Sequence, residues 1–412
     1  MQSGSGARTL TALPAASSGG CNRSVGSFVW LTNSLLFYAA QRGVVVYDVD
    51  RRQSLATLLG HRGVVTCVDG VEVAGGGDTG DGGDGGDGDD GGDGGGNDTF
   101  WIVSGAADGE VVMWEVEVGE DGACRARAVS QVETAGPVTG VCCCRGSAAS
   151  RDIPAAPRGM LVAVASADGG GSVRLLGLGA EGLCVRETVH IGTLVACVCL
   201  ASLVSLVRDA GGESSSGAPS STLSCSMGSH VLAGGFVDGS VRLWGLETDL
   251  TARDGVSIVR SAPCVLRHQH QNWVRAIDIA WDAGRQRMVM ATASQDRYVR
   301  VWSLKEDEKG GSSGLDAYAP KPRLRLGART VAVVCEGLLA GHEDWVHGAR
   351  FHTSGRGSLT LLTSSMDRTM MLWRREGDCG AGEVGEVGEV DELGNASGDQ
   401  GTFPPRRQIH FG

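Results

Sequence analysis

Three histidine–aspartate pairs are the residues of this chain best suited to moving protons: His61 with Asp108, His270 with Asp296 and His342 with Asp367. An imidazole oriented by a carboxylate is how a general base is held in place. A second group, Cys264 with His268 and His270, mixes metal-binding side chains, but a zinc site needs a fourth ligand at defined spacing and none follows. No Walker loop and no HExxH occurs, and Gly169-Gly170-Gly171 sits where a hairpin, not a helix, is expected. What decides against catalysis is repetition. His270 precedes Asp296 by 26 residues and His342 precedes Asp367 by 25. A pair that returns at nearly the same spacing in consecutive repeats has a structural cause. The expected assignment is no enzyme, no catalytic residue, no cofactor and no metal.

The elements that position these pairs follow from the repeat. IVSGAADGEVVMW ends at Trp114, LAGGFVDGSVRLW at Trp244, ATASQDRYVRVW at Trp302 and LTSSMDRTMMLW at Trp373. Each has an aspartate six residues before the tryptophan: Asp108, Asp238, Asp296 and Asp367. Two worn copies complete the series. One carries Asp168, with Leu176 in the tryptophan place; the other carries Gln41 in the aspartate place and Tyr47 in the tryptophan place. Each copy reads as strand, tight turn, strand, because an apolar run meets an Asp-Gly-type reversal and then alternates. A further strand opens after His61, His270 or His342.

These units resemble WD repeats, in which each copy folds as one four-stranded blade. The expected fold is therefore all-β: a WD-repeat β-propeller with six recognisable blades of an expected seven, the last divergent or truncated. A single blade cannot bury both faces, so several must stack radially. The resemblance implies that histidine, a Ser/Thr of the second strand, aspartate and tryptophan hydrogen-bond within each blade; in the last blade the hydroxyl is Thr363 or Ser365. It implies a structural network of His61, Asp108, Trp114, Asp238, Trp244, His270, Asp296, Trp302, His342, Asp367 and Trp373. The order of GCNRSVGSFVW, VVVYDV, QNWVRAIDI with ATASQDRYVRVW, and GHEDWVHGARF with LLTSSMDRTMMLW and then VGEVGE is similar to the family of Elongator second subunits, over about residues 20 to 390. That family carries two propellers in tandem and joins the largest Elongator subunit to the catalytic acetyltransferase subunit. The complex modifies the wobble uridine (U34) of transfer RNA. Expected partners are thus other Elongator subunits, with tRNA met indirectly or weakly, and neither membrane nor small-molecule substrate. A generic propeller that reads a peptide or modified tail, and a propeller that binds RNA directly, are the alternatives.

Trp273 and Trp345 occupy one position in consecutive repeats, directly before a strand. With Arg275, Gln295, Arg297, Met366 and Arg368 they form a candidate partner-binding face, since Trp and Arg dominate interface hot spots. Packing of both indoles against the neighbouring blade is the competing reading, and the sequence leaves both open.

Composition bounds the rest. A formal charge of −12 argues against broad phosphate binding. Thirteen cysteines, an odd number without a CxxC pair, read as reduced, buried, small apolar residues, which places the chain in a reducing compartment; the expected location is the cytoplasm, with the nucleus also open. No secretory signal is expected at the start, and LVACVCLASLVSLV is too short to span a membrane and reads as buried strand. Residues 1–20 are expected to be disordered and 21–376 to form the propeller. Its inserts are a disordered Gly/Asp-rich loop over 75–98 and loops over 208–222 and 305–327, and 377–412 is expected to be an irregular tail or partial last blade.

Overall fold

A computed structural model describes residues 26–31, 34–73, 98–119, 121–145, 160–179, 182–202, 227–249, 257–266, 269–282, 285, 287–306, 322–353, 359–374 and 405–410. The expected segments 1–20 and 208–222 lie outside the described residues, as do most of 75–98 and 377–412. Among the described residues no helix is long and apolar enough to cross a membrane.

Among the described residues, six antiparallel sheets follow one another along the chain. Blade 1 holds β1 (Phe28–Trp30), β2 (Leu35–Ala40), β3 (Gly43–Asp48) and β4 (Gln53–Leu59). Blade 2 holds β5 (Val65–Val73), β6 (Asp98–Ala106), β7 (Glu110–Val118) and β8 (Cys124–Glu133). Blade 3 holds β9 (Val138–Arg145), β10 (Met160–Ser166), β11 (Ser172–Gly179) and β12 (Gly182–His190). Blade 4 has β13 (Val195–Ser202), β14 (Met227–Phe236) and β15 (Val241–Asp249), with an outer edge split into β16 (Ser257–Arg260) and β17 (Cys264–Leu266). Blade 5 runs β18 (Val274–Asp282), β19 (Arg287–Ser294), β20 (Tyr298–Glu306) and then β22 (Arg329–Ala340), with β21 (Arg323–Leu326) added outside β22. Blade 6 holds β23 (Val346–Thr353), β24 (Leu359–Ser365), β25 (Thr369–Arg374) and β26 (Pro405–His410). The all-β propeller expected from the repeats is the fold, with six blades in a ring.

Two expected boundaries need correction. The loop assigned to 305–327 begins inside β20 and ends in β21. RLRL reads as a solvated basic run, yet its period is two: Leu324 and Leu326 are buried while Arg323 and Arg325 face solvent. The insert over 75–98 ends one residue early, because Asp98 opens β6. Within the tail, residues 405–410 pair with β25 and give blade 6 its fourth strand.

The blades are joined by apolar clusters made from facing sheets. Trp114 of blade 2 packs among Leu35, Phe37 and Val44 of blade 1. Trp244 packs on blade 3, Trp302 on blade 4 and Trp373 on blade 5. Leu176, standing where tryptophan is expected, fills the same place between blades 2 and 3. Each tryptophan thus locks its blade to the one before it, which removes a large aromatic surface from water.

A second stitch runs along the inner strands. Asp69 of β5 accepts the amide of Cys143 of β9 at 2.8 Å, and Asp278 of β18 accepts the amide of Phe351 of β23 at 2.7 Å. Cys142 of β9 does the same with its sulfur, taking the Leu200 amide of β13 at 3.2 Å. All three stand four residues after the buried valine that opens the strand: Val65, Val138 and Val274. Burial pushes the carboxyls of Asp69 and Asp278 up, and the Arg350 guanidinium opposes that rise. Arg350 holds this same position in β23 and reaches Asp278 at 3.3 Å. The thiols facing this region are raised chiefly by burial at Cys67, Cys143, Cys144 and Cys197, so they are poor nucleophiles. Among the described residues the cysteines are free thiols.

Candidate functional site

In blade 6 the resemblance-based network is complete. His342 Nδ1 lies 2.9 Å from Asp367 Oδ2, and its Nε2 lies 2.8 Å from Thr363 Oγ1. Trp373 Nε1 donates to the same Thr363 hydroxyl at 2.9 Å. Asp367 also accepts the amides of Glu343 and Thr369 and the Thr369 hydroxyl. Thr363, not Ser365, is the hub; Ser365 donates instead to the Asp344 carbonyl. Burial alone would raise the Asp367 carboxyl, but the Thr369 and His342 side chains and two amides outweigh it and hold the carboxyl well below the usual carboxylate range.

Blade 5 repeats the arrangement. His270 bridges Asp296 and Thr292, both at 2.9 Å, and Trp302 donates to Thr292 at 3.1 Å. Blade 2 differs at one contact. His61 Nε2 meets Ser104 Oγ at 2.7 Å and Trp114 Nε1 donates to Ser104 at 2.9 Å, but His61 Nδ1 stands 3.9 Å from Asp108. Blade 4 has no such network among the described residues: Gly234 takes the hub position ten residues before Trp244, and Asp238 caps its own turn through Ser240 and stands 3.9 Å from Arg242. In its place Arg242 stacks on Phe236 at 4.5 Å and donates to the Ile191 carbonyl. In blade 3 Asp168 pairs with Ser172 and Arg174. The His–Asp pairs therefore lie each within its own blade, closed in blades 5 and 6 and open in blade 2, and the structure does not bring two of them together in one cleft.

The second candidate site is the loop face of blades 5 and 6. Trp273 is 38% exposed, Trp345 46% and Met366 58%, so neither indole is consumed by packing. Arg275 lies over the Trp273 ring at 5.7 Å. The amides of Gln295 and Met366 bind the carbonyls of Trp273 and Trp345, which ties each hairpin to the loop bearing its tryptophan. Arg297 and Arg368 project from the hairpins with φ of 76° and 66°. At the same place blades 2 and 4 carry Gly109 and Gly239, with φ of 86° and 77°. A left-handed arginine is uncommon, and such strain collects at functional positions. Arg297→Gly and Arg368→Gly are each expected to raise stability by ~1 kcal/mol. A urea midpoint that falls in both variants would contradict this.

Sheet topology and site define the class: the described residues form a six-bladed β-propeller whose blades 5 and 6 are WD repeats stapled by their own histidine, threonine, aspartate and tryptophan. Residues 263–303 and 333–374 match the WD domain, G-beta repeat family, which covers blades 5 and 6. The chain resembles part of a particular member of that class, Elongator complex protein 2. It is 25% identical to Elongator complex protein 2 of Arabidopsis thaliana over 376 residues, 87% of this chain and 39% of that protein. Against the Homo sapiens protein of that name the identity is 25% over 378 residues, 87% of this chain and 38% of the relative. A shorter stretch of 120 residues is 35% identical to the Danio rerio protein, covering 27% of this chain and 14% of the relative. The chain thus spans about two fifths of the length of the relatives it matches most extensively.

Proposed function

We propose that this chain is a non-catalytic scaffold subunit of an Elongator complex, present in the cytoplasm and also in the nucleus. In this reading it joins the largest subunit to the catalytic acetyltransferase subunit and so supports modification of the tRNA wobble uridine U34. The observation that carries it is the similarity to Elongator complex protein 2 over 87% of the chain. The geometry is compatible, because the histidines and aspartates of blades 5 and 6 that would suit proton transfer are paired inside separate sheets. The exposed tryptophans and left-handed arginines of blades 5 and 6 supply the docking face; tRNA is met through the partners.

The test is affinity purification of the tagged full-length protein from its native cells. The largest and acetyltransferase subunits should co-purify in stoichiometric amounts. Trp273→Ala with Trp345→Ala is expected to leave the melting temperature nearly unchanged, since exposed substitutions fall within about 0.5 kcal/mol. Recovery of one Elongator subunit should drop by about 30-fold in affinity, the scale of a lost hot spot of ~2 kcal/mol. Purification of the wild-type protein without either subunit would sink the Elongator reading and leave a generic peptide-binding propeller.

A further inference from the structure

Blade 2 keeps the histidine, hydroxyl, aspartate and tryptophan of blades 5 and 6, yet its histidine–aspartate contact is open. The cause is local. Two residues after the turn aspartate, blade 6 carries Thr369, whose hydroxyl reaches both Asp367 and His342. Blade 5 carries Tyr298 there, and blade 2 carries Glu110. This glutamate points inward: its side chain is 5% exposed, and its Oε2 is buried with no hydrogen-bond partner. The His61 side chain is fully buried, and its Nδ1 is likewise buried with no partner. A lone buried acceptor or ring nitrogen costs on the order of 1–3 kcal/mol, and here two face the same small space. The third member is Asp108, whose Oδ2 is taken by the amides of Arg62 and Gly63, while Oδ1 receives only the Glu110 amide.

We propose that His61, Asp108 and Glu110 form a divalent transition-metal site of the zinc type. One donor atom from each of the three lies within 4.8 Å of the others, the one such group among the described residues. Donors around a zinc ion at ~2.1 Å stand no more than about 4.2 Å apart, so small side-chain rotations close the set. Burial lowers the His61 pKa, which keeps the ring neutral as a ligand requires. One imidazole nitrogen and two carboxylates suit a borderline ion such as Zn2+. The nearest competing cation, Arg62 Nε, is 4.0 Å from Glu110 Oε1 on a side chain 88% exposed, free to swing away. The ion would replace the histidine–aspartate bond that staples blades 5 and 6, tying the loop before β5 to the β6–β7 hairpin.

The full 412-residue chain, stripped with a chelator, is titrated with Co2+ and then with competing Zn2+. Expected is one saturable site with visible ligand-field absorption and without the strong near-ultraviolet band of a cobalt–thiolate bond, since the chain also holds thirteen cysteines. Glu110→Thr, which installs the residue blade 6 uses, should weaken that site by about 100-fold while the metal-free variant melts no lower than the metal-free wild type. Zn2+ should raise the melting temperature of the wild type and not of Glu110→Thr. Glu110→Gln provides the same comparison should the threonine variant fold poorly. Equal Co2+ uptake by wild type and both variants, a thiolate-only spectrum, or no saturable binding would overturn the proposal.

Discussion

Trp373→Ala is expected to destabilise the propeller by about 4 kcal/mol, the scale of a fully buried tryptophan cut back to its Cβ. Trp373 is 1% exposed and packs on Leu361, Met371 and blade 5. The loss is both a cavity between two sheets and an unsatisfied hub, because Thr363 gives up its indole donor. Trp373→Phe keeps most of the volume and removes the N–H, so it should cost roughly 1–2 kcal/mol. Thr363→Val is expected between these, at about 2–3 kcal/mol, since it strands both the His342 ring nitrogen and the indole N–H. Urea midpoints at constant slope give the ranking. A Trp373→Ala midpoint within ~0.5 kcal/mol of wild type would mean that this blade does not contribute to the cooperative unit.

The second large effect is on pH. His230 of β14 is fully buried, with Nε2 at 3.1 Å from Thr248 Oγ1 and Nδ1 at 3.5 Å from Cys144 Sγ. Burial pushes its pKa down to about 4, against ~6.5 in an unfolded chain. Between those values the unfolded state binds the extra proton. Stability is therefore fully present above pH ~6.5 and falls as the pH drops toward 4, by about 3 kcal/mol in total at 1.36 kcal/mol per unit. His230→Gln removes the titrating group. Its urea midpoint should change much less between pH 7 and pH 4.5 than that of the wild type. Parallel losses in both proteins would show that other groups carry the acid sensitivity. Asp367 acts lower: its carboxyl is depressed, so its stabilisation persists above pH ~4 and disappears only below it.

Much of the blade architecture was legible because it is written as spacing. The six-residue step from aspartate to tryptophan sets the hairpin, and the histidine some 25 residues earlier sets the strand before it. Thr363 and Ser365 could not be separated, since a period of two places both on one face; the pairing of Leu361 with Trp373 decides between them. The exposure of Trp273 and Trp345 was equally closed to the sequence, because a tryptophan before a strand suits either a loop tip or a packed edge. The inner-strand aspartates look like ordinary alternating polar positions. Their signal is a polar or sulfur side chain four residues after the strand-opening valine. Glu110 carries no signal of its own: its meaning comes only from contrast with Thr369 and Tyr298, which share its location in the other blades.

Among the described residues, five of the apolar clusters mix residues of consecutive blades, and the one containing Tyr38, Val45 and Tyr47 is built from blade 1. Blade 1 also carries Gln41 and Tyr47 where blades 5 and 6 carry aspartate and tryptophan, so it goes without their internal fastening, and thermal breathing should begin there. Amide protons of β2 and β3 are expected to exchange ahead of those of β10 and β14, and a tether pulling on the N-terminal side should peel blade 1 away before it disturbs the rest.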